Sequence, residues 1–241
     1  MKKAGPYILP LVRSGLFIVV GLLFAMASDQ SLEQASRWWS SICIVCNIII
    51  IVLLLAIFKH EGSSYRMIIG YEKGQSSLKN TLVLVLAMLA LGVVGMYGFG
   101  YLFYGYMPVT MVQPIPIWLA LANVILLPLT NVFVELPLYF GYSLNGIEKM
   151  TGNTRLAIVY ATVFYALQHS FIPLLADRKY ILFSFVSFLP LLVFLALVYA
   201  KNRKLAPLMI GHAILDFAVA AQILLTSLFP TMFEMMKSTN V

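Results

Sequence analysis

The sequence predicts an all-α protein, a polytopic membrane helix bundle of about seven transmembrane helices, and three observations predict it. Of the 241 residues, 61% are hydrophobic and only 10% are charged, with a mean hydropathy of +0.93. A soluble domain carries roughly 25% charged residues, so most of this chain is matched to lipid rather than water. The apolar residues also run in blocks long enough to cross a bilayer, which takes about 20 of them. Neither strand alternation nor an internal repeat competes with those blocks. A single integral membrane domain over 1–241 accounts for the length.

Seven spans follow in order, near 7–27, 41–58, 81–104, 115–143, 156–175, 181–200 and 205–229. The first follows "MKK" and ends in "AMA" at Ala27, a pattern shared with cleaved signal peptides. Later spans can insert without a cleaved leader, so a retained helix is favoured. The second holds Cys43 and Cys46 in "SICIVCNIIII". A redox dithiol needs solvent access at a helix start. Within an apolar run the pair reads instead as two small helix- or lipid-facing residues, with no disulfide framework or zinc finger implied.

The third span carries Gly92, Gly95 and Gly98 at three-residue spacing, a face for close helix packing rather than a phosphate cradle. In the fourth, Pro137 cannot donate to the carbonyl of Phe133, so a kink that frees this carbonyl is expected beside Glu135. The breaks "ADRKY" and "KNRK" delimit the last three spans.

Basic residues orient the bundle. With the N-terminus inside, Lys2, Lys3, Arg13, Lys59, Arg66, Lys73, Lys79, Lys149, Arg155, Lys201, Arg203 and Lys204 fall on the cytoplasmic side. Arg37, Arg178, Lys179 and Lys237 fall outside. Twelve against four is the positive-inside bias, which explains the net charge of +7 without a nucleic-acid partner. The expected location is a cell membrane, bacterial by the chain's size and short loops, with a cytoplasmic N-terminus. The connection 59–80 is the longest polar one and is expected to be a solvated cytoplasmic loop.

Against this apolar background four side chains stand out. Glu135 and Asp216 are the acidic residues placed inside spans, and His169 and His212 are the intramembrane histidines. Ionisable groups in hydrocarbon are expensive and by default mark function. His212 and Asp216 are four residues apart and share a helix face, so the carboxylate can fix the imidazole. Asn131 shares a face with Glu135 in the same way. Depth is a difficulty. Glu135 and His212 fall near the cytoplasmic ends of their spans, whereas His169 lies about 13 residues into its own, roughly 20 Å at 1.5 Å per residue.

A carboxylate and two imidazoles suit hydrolysis by activated water, with Glu135 as general base and Asp216 supporting His212. Two versions stay open. The histidines donate hydrogen bonds to the developing oxyanion, or Glu135, His169 and His212 hold a divalent metal such as zinc. Ser170 adjoins His169 but points about 100° away on a helix, so no serine nucleophile is favoured.

These residues resemble the CPBP family of intramembrane proteases, which includes CAAX-prenyl endopeptidases and bacteriocin-processing or self-immunity proteins. That family carries EExxxR followed by Gly, then FxxxH, then HxxxN or HxxxD. The matching stretches here are "ELPLYFGY" (135–142), "YALQH" (165–169) and "HAILD" (212–216), within a core of about 115–220. Leu136 stands where the second glutamate is expected, Phe140 where the arginine is, and Tyr165 where the phenylalanine is. The resemblance implies that Glu135 activates water and that the histidines surround the reacting carbonyl or a metal. It also implies that an ion pair of the first motif is lost. The partner so implied is a peptide or membrane-protein segment in the bilayer. A proton-relay transporter, or a lapsed relative acting as an immunity or scaffold protein, would use the same residue types differently.

Overall fold

In the computed structural model, which describes residues 4–70 and 76–238, the long apolar blocks are helices. These are α1 (Gly5–Ala27), α3 (Trp39–Glu61), α5 (Leu78–Tyr104), α6 (Ile117–Leu136), α8 (Thr154–His169), α9 (Arg178–Asn202) and α10 (Ala206–Leu228). Short helices join them: α2 (Leu32–Ala35), α4 (Tyr65–Ile69), α7 (Asn145–Thr151) and a terminal α11 (Pro230–Ser238). Among the described residues six helical stretches are long and apolar enough to cross a membrane. The seventh, α8, has 16 residues and stops at His169, so residues 170–175 of the expected fifth span are not helical.

The helices alternate in direction. We call the end holding Gly5, Glu61, Thr151 and Asn202 basal, and the opposite end distal. Basal contacts tie α1 to α7, where Gly146 packs on Pro6, and α9 to α7, where Arg203 Nη2 pairs with Glu148 Oε2 at 2.6 Å. At the distal end Ser227 Oγ accepts from the Ile115 amide, and Trp39 Nε1 donates to the Met111 carbonyl. Outward faces are apolar: Val45, Ile48, Val52 and Leu55 of α3 are exposed, while Cys46, Ile50 and Leu54 are fully buried. Lipid offers no hydrophobic drive between helices, so close packing must hold them together. Gly95 provides it, since a Cβ there would collide with the Ser187 carbonyl of α9. Gly92 faces Leu215 and Leu191, whereas nothing lies against Gly98.

The fourth span departs most from expectation. It does not end near 143. A π-helix, Pro137–Leu144, continues α6 into α7, giving one apolar stretch Ile117–Thr151. Pro137 removes the amide that would bond the Phe133 carbonyl, and the chain answers by widening the helix. The freed carbonyl accepts instead from the Tyr65 hydroxyl of α4 at 3.1 Å. The loop 59–80 is therefore partly packed: Tyr65 meets Phe58 edge-on, and Ile68 lies against Gly141. Glu72 and Lys73 in that loop, and Lys2 and Lys3, lie outside the described residues.

This continuation removes the depth difficulty. Gly152, at φ +67°, ends α7, and Asn153 caps α8 at the Leu156 amide, so the chain reverses at once. Glu135 lies 16 residues before Thr151 and His169 lies 15 after Thr154. At about 1.5 Å per residue both sit roughly 23 Å from the turn. Helix α10 starts deep, with buried Leu205 against Gly141, six residues below Glu135; His212 is seven above Leu205. All three reach one level.

Candidate active site

Glu135 is the penultimate residue of α6, just before the widened turn, and is 2% exposed. Its Oε1 accepts from Gln168 Nε2 and Arg13 Nη2, each at 2.8 Å. Its Oε2 accepts from the Tyr165 hydroxyl at 2.8 Å and lies 3.1 Å from His212 Nε2. His212 Nε2 is also 2.9 Å from that hydroxyl. On the other side of the ring, His212 Nδ1 lies 2.9 Å from Asp216 Oδ2, one helical turn on. Glu135, His212 and Asp216 thus form a continuous line, bridged at its centre by a tyrosine.

His169 stands one layer away. Its ring stacks on Phe188 at 3.7 Å and on Tyr165 at 5.7 Å, and it makes no side-chain hydrogen bond among the described residues. The Ser184 hydroxyl of α9 takes the His169 carbonyl at 2.7 Å, closing the end of α8. Tyr165 is held from the opposite side by Tyr139, parallel at 4.4 Å and 5°. Phe140, in the place expected for an arginine, packs against Tyr165 and Tyr199.

Arg13 corrects the sequence reading. Rather than lying at the cytoplasmic surface, it is fully buried in the middle of α1. It reaches Gln168 through Nε at 2.5 Å and Asn47 through Nη1 at 2.8 Å, besides its bond to Glu135. The ion pair that the first motif lacks is therefore present, with its cation on another helix. Such a pair is costly to bury but, once one partner is removed, leaves an uncompensated charge worth about 3–5 kcal/mol.

Two further residues, Gln168 and Asn47, escaped the sequence reading. Gln168 shares its amide between Arg13, Glu135 and the Tyr139 hydroxyl. Asn47 donates from Nδ2 to Asn131 Oδ1 at 2.6 Å. Asn131, Asn47, Arg13, Glu135 and His212 form a continuous polar chain, with Asp216 beyond the His212 ring. Cys43 and Cys46 are buried free thiols, the first donating to Asn131 Oδ1 at 3.4 Å.

A resident metal does not fit this arrangement well. Among the described residues no group of three His, Cys, Asp and Glu side chains is placed to hold one. The Glu135 oxygens that would serve as ligands already accept from a guanidinium, an amide and a phenol.

No curated protein and no solved structure matches the chain. One family model does, described as "Type II CAAX prenyl endopeptidase Rce1-like", over residues 116–218. That stretch holds Glu135, Tyr165, His169, His212 and Asp216 but neither Arg13 nor Asn47. Residues 116–218, a little under half of the chain, are thus similar to the Rce1-like family of type II CAAX prenyl endopeptidases.

Proposed function

We propose that this protein is an intramembrane endopeptidase in which Glu135 activates water against a peptide carbonyl of a membrane-associated substrate. The observation carrying this reading is the contact of Glu135 Oε2 with both His212 Nε2 and the Tyr165 hydroxyl, buried and backed by Asp216. Water entering between Oε2 and Nε2 gives a proton to Glu135, and its oxygen bonds the carbonyl carbon. His212 and Tyr165 are then the donors for the oxygen that becomes negative, in a dry site where such bonds count most. Asp216 holds the imidazole in orientation. The C–N bond breaks as Glu135 returns its proton to the leaving amine, so atoms and charge balance. His169, which makes no side-chain hydrogen bond among the described residues, packs behind Tyr165.

Holding a divalent metal on Glu135, His169 and His212 would require the carboxylate to exchange its present donors for the ion, so no step is routed through one. The family description makes prenylated CAAX peptides one substrate class to try. A second reading, a lapsed relative that serves as a partner-binding scaffold, is favoured by one observation: each Glu135 oxygen already has two partners.

Mapping peptide termini in membranes from cells making wild type or Glu135→Gln separates the readings. Termini present with wild type and lost in the variant are expected, with a fall in cleavage of about 10³-fold or more, insensitive to chelators. Identical termini in the two membranes would remove the hydrolase.

A further inference from the structure

Among the described residues Arg13 is the one buried lysine or arginine, and it lies outside the segment that carries the family match. We infer that Arg13 is the positioning cation of the site, making α1 a part of the catalytic unit rather than an anchor beside it. The inference rests on the hydrolytic reading of Glu135.

The geometry is that of a fork used at every tine. Nε meets Gln168 of α8, Nη1 meets Asn47 of α3, and Nη2 meets Glu135 of α6. Four helices are therefore joined at one guanidinium, whose face also lies 5.2 Å from the Phe17 ring. Gln168, oriented by Nε, donates to the same Glu135 oxygen that Nη2 holds. Both donors converge on Oε1, which leaves Oε2 as the oxygen that faces His212. Arg13 thus selects which carboxylate oxygen is presented to the reacting centre. No cation from the widened turn can do this, because Phe140 occupies the place expected for an arginine and is packed between two tyrosine rings. A lysine cannot replace the fork, since its ammonium is a single point that cannot hold three planar directions.

The test uses full-length protein in liposomes and the peptide whose termini distinguish wild type from Glu135→Gln. Arg13→Gln is expected to lower kcat about 100-fold, the scale of a slight misplacement of a catalytic group, with KM within about threefold. Arg13→Lys keeps the charge and guards against a misfolded glutamine variant. It is expected to melt near the wild-type temperature and still lose about tenfold in kcat, because charge without the fork does not orient the carboxylate. A wild-type kcat in Arg13→Lys overturns the assignment, as does a loss that tracks lowered melting alone. Failure of the parent reading looks different: termini from wild type and Glu135→Gln then coincide, and both ideas fall together. If wild type cleaves and Glu135→Gln does not, the two Arg13 variants judge this inference alone.

Discussion

Residues 116–218 and the helices that precede them build one polar core by different means. The C-terminal part supplies Glu135, Tyr165 and His212 at the centre, with Asp216 behind. The N-terminal part supplies Arg13 and Asn47, which touch that machinery only from the rear. In the proposed hydrolysis the first set reacts, and the second balances charge and fixes orientation. A buried carboxylate needs both, because its ionised form in hydrocarbon is unaffordable without a partner. The difference teaches that the polar core extends beyond the matched segment into α1 and α3.

The comparison can be broken most directly at Tyr165. Tyr165→Phe keeps the ring on Tyr139 and removes one hydroxyl that touches both Glu135 Oε2 and His212 Nε2. Loss of one oxyanion donor lowers kcat about 10²-fold or more, and melting should change little. Steady-state cleavage in liposomes measures it. An unchanged kcat would demote Tyr165 to packing and leave the C-terminal part with fewer reacting groups than the geometry assigns it.

Asp216→Asn comes next. The side chain keeps its size but loses the charge that lies 2.9 Å from His212 Nδ1. Groups that orient a functional histidine are typically worth about 10- to 100-fold. A fall confined to kcat supports orientation. A fall that follows thermal stability would make Asp216 a structural group instead.

What the sequence revealed divides along the same line. Six of the spans were legible because twenty apolar residues have few other uses, whereas the fifth stops at His169 after 16 residues. Glu135, His169, His212 and Asp216 were legible because an ionisable letter in an apolar run is conspicuous. Arg13 has the same signal, lying eight residues inside α1, but the basic start "MKK" makes its neighbourhood resemble a cytoplasmic flank. The intramembrane rule applied to Glu135 would have found it. Its partner lies 122 residues away, and no spacing rule connects them. Gln168 and Asn47 carry no such signal, since neutral amides occur in spans for packing as well. The π-helix was half legible: Pro137 showed where the ladder must fail, but a kink and a widened turn satisfy that loss equally well.

The smallest effect is expected where the preceding helices meet the widened turn outside the core. Tyr65 of α4 donates to the Phe133 carbonyl that Pro137 leaves without an amide, and burial pushes its phenol up, so it remains a donor at working pH. Tyr65→Phe keeps the edge-on contact with Phe58 and deletes only the bond. An intramolecular hydrogen bond is worth about 1 kcal/mol net, and an acceptor left unpaired costs somewhat more. Denaturation in detergent should therefore show a loss of about 1–2 kcal/mol. Phe133 points away from Glu135 by two residues, and the carboxylate is held by donors of its own, so kcat is expected to stay within about twofold. A larger loss of kcat than of stability would mean that α4 sets the angle of α6 at Glu135. The preceding helices would then act on the reaction through the backbone as well as through Arg13.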